Sequence, residues 1–149
     1  MSIICSFFGH RVVADKVFFG LYDEIEKHIT KYKVNVFYVG GYGGFDNMVF
    51  DILYEMKEYY SHIKIYRILA YMPLEVNNKT YEKHYKTMFP EGLELVPKKF
   101  AIVHRNRWIV NNSDYIIGYV QTSYGGAYEA LKYAKRKNKK VINLAEGVK

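Results

Sequence analysis

Short, unbroken apolar runs alternate along this chain with longer stretches whose apolar positions recur every three or four residues. SIICSFFG (2–9) is continuous, aromatic-rich and closed by a glycine, which predicts a buried strand. In DKVFFGLYDEIEKHITKYK (15–33), Val17, Phe18, Leu21, Ile25 and Ile29 fall on one face of a helix, and Asp15 is its expected N-cap. VNVFYVGGYGG (34–44) is a second strand that stops at glycines, and Phe45, Met48, Val49, Ile52, Leu53 and Met56 mark a helix over 45–60. IKIYRILAYMP (63–73) predicts a third strand, ended by Pro73.

The pattern weakens between Leu74 and Lys99. Turn chemistry stands at Asn77-Asn78 and Pro90-Glu91-Gly92. A short helix is expected near Tyr81–Met88 and a short strand near Leu93–Val96. Regularity then returns. AIVHRNRWIVNNS (101–113) reads as a helix with Ile102, Ile109 and Val110 inward. DYIIGYV (114–120) is a strand, Ala127–Arg136 a helix and KVINLA (140–145) the last strand. Apolar strands alternating with helices predict an α/β fold: one Rossmann-like domain over residues 1–149, its mostly parallel sheet covered by helices on both faces. No repeat, low-complexity tract or linker interrupts it.

In such sheets ligands bind beyond the carboxyl ends of the strands, where the strand order reverses. Four segments meet that requirement. Gly9, His10 and Arg11 follow the first strand. Arg11 can hold a phosphate bidentately and His10 can donate a hydrogen bond or act as acid or base. The alternative is a solvated arginine and a stacked histidine at a strand end. Gly40, Gly41, Gly43 and Gly44 sit before a helix whose free N–H groups suit an anion. They match neither the dinucleotide fingerprint nor a P-loop. Asp46 just beyond them either caps the helix or touches a ribose hydroxyl. Arg105 and Arg107 lie on the helix before the fourth strand and cannot both face one ligand. Gly125 and Gly126 form a second candidate anion turn. Glu129, one turn further on, either caps the helix or faces the ligand, where a carboxylate can hold ribose hydroxyls or stabilise an oxocarbenium ion.

Composition narrows the partners. The formal charge of +7 favours anions, whether small phosphorylated molecules or nucleic acid. The basic run KYAKRKNKK alternates with apolar residues and reads as a solvated helix face. The 16 tyrosines are dispersed and read as half-buried amphipathic residues. The single Cys5 excludes an internal disulfide and reads as a small buried hydrophobe. No pair of Cys or His has metal-ligand spacing, no Gly-x-Ser-x-Gly elbow is present, and no metal or cofactor is expected. Without a signal-peptide pattern or an apolar run long enough for a membrane span, the expectation is a cytoplasmic protein that does not engage membranes.

CSFFGHR near the start, RNRWIVNNSDYIIGYV and YGGAYEALKYAKRKNKKVINL together resemble the SLOG superfamily, most nearly its YpsA-like branch. That superfamily also contains the Lonely Guy phosphoribohydrolases and the DNA-processing protein of natural transformation. The resemblance spans most of the chain, with Leu74–Lys99 the poorest match. It implies a Rossmann-like domain binding a nucleotide or nucleotide-derived ligand, as a sensor in some members, and a homo-oligomer. Phosphate would rest on the two glycine turns, neutralised by Arg11 and one of Arg105 and Arg107. Glu129 and Asp46 would face the ribose, and Tyr42 or Tyr124 would stack on the base. The Lonely Guy motif, Pro-Gly-Gly-x-Gly-Thr-x-x-Glu, ends in an active-site glutamate. Gly125, Gly126 and Glu129 resemble its end, with Gly126 and Ala127 in the places of Gly-Thr and the leading Pro-Gly-Gly missing. Deoxyribosyltransferases carry a similar stretch. The resemblance therefore also implies N-glycosidase or base-exchange chemistry on nucleoside monophosphates, with Glu129 catalytic. Kinship to DNA-processing proteins adds single-stranded DNA binding as a further alternative.

Overall fold

The computed structural model describes residues 1–71 and 85–147. In chain order its regular elements are β1 (Ile4–Gly9), α1 (Val17–Thr30), β2 (Val36–Val39), α2 (Gly44–Tyr59), β3 (Lys64–Ile68), β4 (Lys86–Met88), α3 (Ala101–Asn111), β5 (Tyr115–Tyr119), α4 (Gly126–Arg136) and β6 (Lys140–Asn143). The six strands form one sheet in the order β4-β3-β2-β1-β5-β6. Every neighbouring pair is parallel. The expected α/β sheet is therefore present, with helices on both faces.

Side chains alternate across the strands and divide the interior into two cores. Cys5, Phe7, Phe37, Val39 and Ile117 face α1 and α2, where Leu21, Ile25, Phe45, Ile52 and Met56 complete a fully buried layer. Phe8, Val36, Tyr38 and Ile116 face α3 and α4, meeting Ile109, Val110, Leu131 and Ala134. Each fully buried Ile, Leu or Phe contributes about 1.5–3 kcal/mol relative to exposure. Ser6 is the polar exception on β1. Its hydroxyl stands 3.0 Å from that of Ser113, which donates to the Ile109 carbonyl at 2.6 Å.

Several local expectations are revised. Lys16, not Asp15, occupies the N-cap of α1, with no side-chain cap bond; the Asp15 carbonyl accepts Phe18 N–H at 3.0 Å. The third strand ends at Ile68, well before Pro73, and Leu69 N–H then bonds the Met88 carbonyl. Lys86–Met88, expected at the end of a helix, is instead the parallel edge strand β4. Tyr85 is buried irregular backbone, and residues 81–84 of that expected helix and the Asn77-Asn78 turn lie outside the described residues. Leu93–Leu95, expected as strand, is a 3-10 turn entered through Gly92. Ile102, expected inward on α3, is more than a third exposed, whereas Ile109 and Val110 are buried. No helix among the described residues is long and apolar enough to cross a membrane.

The first strand, β1, pairs with β2 on one side and β5 on the other. The strands step outward from β1 through β2 and β3 to β4, and the chain then crosses to β5 by way of α3. The reversal of strand order thus falls between β1 and β5, beside the carboxyl ends at Gly9 and Tyr119.

Candidate functional site

A cavity of about 320 Å³ opens at that reversal. Gly9, His10 and Arg11 line it from the end of β1, and Gly40, Tyr42 and Asp46 from the β2–α2 turn. Ile102, Arg105 and Asn106 line it from α3, and Tyr124 to Ala127 from the entry to α4. All four segments expected from sequence converge there. Of the predicted residues, Gly41, Gly43, Gly44, Arg107 and Glu129 do not line it.

The two glycine turns differ. At the β2–α2 turn, three N–H groups already bond the protein. Gly44 N–H donates to the Arg11 carbonyl at 2.6 Å and Phe45 N–H to the His10 carbonyl at 3.2 Å. Tyr42 N–H donates to Asp46 Oδ2 at 3.0 Å. Gly43 has φ of +95°, and a Cβ there would stand 2.8 Å from Arg11 Cα. Gly43 and Gly44 therefore let the β1 end pack onto the helix start, and of this turn's glycines only Gly40 lines the cavity. The turn before α4 is open. Nothing lies within 4 Å of a Cβ placed on Gly125 or Gly126, and Gly125 has φ of +98°. The first N–H groups of an 11-residue helix stand here beside the cavity.

The cavity wall carries a buried charge cluster. Asp46 and Arg105 are each at least nine-tenths buried. They approach one another beneath Gly40, where a Cβ would stand 3.0 Å from Arg105 Nη1 and 3.3 Å from Asp46 Oδ2. Arg105 Nε donates to Asn106 Oδ1 at 3.0 Å, and its Nη1 lies 3.4 Å from the carbonyls of Gly40 and Ile68. The guanidinium sits 5.1 Å from the Tyr42 ring centre, and that of Arg67 lies 6.0 Å from it. Burial raises the Asp46 carboxyl to about 6, opposed by the Tyr42 and Gly41 N–H groups and by the charges of Arg105 and Arg67. Burial also lowers Arg105, an effect that Asp46 partly offsets. Asp46 Oδ1 and Arg67 Nε have no hydrogen-bond partner among the described residues.

Sequence reasoning missed Arg67. Its signal was a cation inside an otherwise apolar strand run, where a side chain at the carboxyl end of β3 reaches the site's underside. His10 is stacked edge-on against Tyr119, and its Nε2 accepts the Gln121 N–H at 2.8 Å. The proton of a neutral imidazole is thereby placed on Nδ1.

Glu129 is exposed and lines a separate groove between α3 and α4, together with Arg107. The motif register shifts as well: counting back from Glu129 puts Gly-Thr on Gly125 and Gly126, so no hydroxyl stands at the Thr place in either alignment.

The fold resembles that of DNA processing protein A. The Streptococcus pneumoniae protein superposes with a TM-score of 0.65 at 15% identity, over 94% of this chain and 49% of that one. The Helicobacter pylori protein, whose structure is described for its single-stranded DNA binding mode, gives 0.62 at 15% identity, over 93% of this chain and 63% of that one. The chain thus spans about half to three-fifths of these neighbours. DNA processing protein A belongs to the superfamily that the sequence motifs resemble, and at this identity the likeness is one of fold. No protein-family model and no curated protein sequence matches the chain.

Proposed function

We propose that this chain is a SLOG-type domain of the YpsA-like branch that binds a nucleotide or nucleotide-derived ligand in the cytoplasm, as a homo-oligomer. The observation that carries the reading is the open Gly125–Gly126 turn beside a cavity at the strand-order reversal. Phosphate sits on that turn, facing Arg11. Asp46 accepts a ribose hydroxyl, Arg105 keeps its charge balanced, and Tyr42 or Tyr124 covers the base. N-glycosidase chemistry is less well supported, because Glu129 lies outside the cavity and the carboxylate lining it is Asp46.

A thermal-shift series with AMP, GMP, CMP, deoxynucleotides, NAD and ADP-ribose tests this. Ligand at a hundred times its dissociation constant adds about 2.7 kcal/mol of stability. One ligand should raise the midpoint, and Arg11→Ala should weaken the shift; no shift with any of them rejects the reading.

Single-stranded DNA is a second reading, supported by the charge of +7 and by the Helicobacter pylori neighbour. Its mark is affinity for an oligodeoxythymidylate that falls steeply with salt.

A further inference from the structure

We infer that the ligand site continues past the cavity, over Gly125–Gly126 and into the groove between α3 and α4, and takes two nucleoside units bridged by pyrophosphate. This rests on the nucleotide reading above and adds the class of ligand.

The groove has a volume of about 520 Å³, and it shares Ile102, Asn106, Gly125 and Gly126 with the cavity. The two recesses are therefore neighbours across one open turn. A nucleoside monophosphate bound in the cavity leaves the groove empty, with the phosphate at the boundary between them.

The groove's chemistry suits a second nucleoside. Ile102 and Val103 expose apolar surface to it, with Val103 half exposed, and Tyr133 presents its ring. That ring is held by a 3.0 Å bond from its hydroxyl to Asn111 Oδ1. Arg107 and Arg136 lie 5.3 and 5.1 Å from the ring centre. Neither these nor Lys132 has an ion-pair partner among the described residues. Arg11 lines the cavity and Arg107 the groove, so cations flank the turn on both sides and favour an anionic linker between the two recesses. Beyond the helix start, the site holds Asp46, nine-tenths buried on the cavity wall with one oxygen unpartnered.

The test titrates the full chain with each of the four ribonucleoside monophosphates, its symmetric pyrophosphate-linked dimer and oligodeoxythymidylate. Wild type is compared with Val103→Glu and, separately, Lys132→Glu, both on exposed positions. One dimer should bind about tenfold or more tighter than its monophosphate, through the linked second contact. Val103→Glu should abolish that advantage and leave monophosphate affinity unchanged; Lys132→Glu should reduce it. Equal affinity of dimer and monophosphate overturns the inference while leaving the nucleotide reading standing. So does an advantage confined to oligodeoxythymidylate. A Val103→Glu change in sedimentation with the dimer's advantage intact assigns the groove to a second copy and overturns it too. Failure of every monophosphate and dimer to bind rejects both the inference and the reading beneath it.

Discussion

His10 Nε2 accepts the backbone N–H of Gln121 at 2.8 Å, joining the loop after β1 to the loop after β5 across the strand-order reversal. The same two loops carry Arg11 and the Gly125–Gly126 turn, so this bond adds to the β1–β5 pairing in fixing the spacing of the two groups proposed to meet a phosphate. Replacing His10 by Ala should cost about 1 kcal/mol of stability. It should also weaken nucleotide binding beyond what lost stability explains, measured by titration well below the unfolding midpoint. Unaltered affinity would mean that the loops hold their spacing without it.

The glycine turns predict opposite outcomes for one substitution. Gly43→Ala places a Cβ against Arg11 Cα at positive φ, and should destabilise the fold by about 1–3 kcal/mol. Gly126→Ala meets open space at the first position of α4 and should leave the unfolding midpoint unchanged or slightly raised. Its effect should appear in binding, where the methyl group obstructs phosphate approach to the turn. Chemical denaturation and calorimetric titration of both variants separate the cases; full affinity in Gly126→Ala removes the turn from the site.

Asp46 makes stability depend on pH in a direction unusual for a carboxylate. Its folded value of about 6 lies above the ordinary 3.8. Between those values the folded chain holds a proton that the unfolded chain has lost. The stabilisation is therefore complete below about pH 4 and lost as pH rises through about 6, a difference of about 3 kcal/mol. Subtracting the pH profile of Asp46→Asn from that of wild type should isolate this fall. Parallel profiles would show that the carboxyl titrates normally.

Arg105→Met should reveal the other half of the pair. At neutral pH it removes a cation near the buried Asp46 charge and the donors to Asn106 and to the Gly40 and Ile68 carbonyls, at a cost of about 1–3 kcal/mol. At pH 4 the carboxyl is protonated and the loss should shrink. The Asp46 titration, followed by carboxyl carbon chemical shift, should move upward. A loss independent of pH would assign Arg105 a packing role only.

The strands and long helices were legible because each carries its own periodicity: Leu21, Ile25 and Ile29 mark a face whatever surrounds them. The region before α3 was not. Lys86–Met88 has no apolar alternation and becomes strand only because β3 offers it a parallel edge, which is tertiary information. Topology points to the strand-order reversal, and the four segments singled out in the sequence each bring at least one residue to the cavity there, while Gly41, Gly43, Gly44, Arg107 and Glu129 lie outside it. The segments' division of labour was hidden. Gly40–Gly44 and Gly125–Gly126 look alike as glycine turns, and only the packing of Arg11 against the first distinguishes a filled turn from an open one. Ile102 fits the apolar face of α3 by spacing, yet lines both the cavity and the groove and is more than a third exposed.

The cavity wall draws Asp46 from the layer of α1 and α2, and Arg105 and Gly126 from the layer of α3 and α4. Those layers meet elsewhere chiefly through the sheet between them. An occupant of the cavity is therefore a rivet holding both layers at one end. Its arrival should slow amide exchange at the starts of α2 and α4 together, although the two helices lie on opposite faces of the sheet.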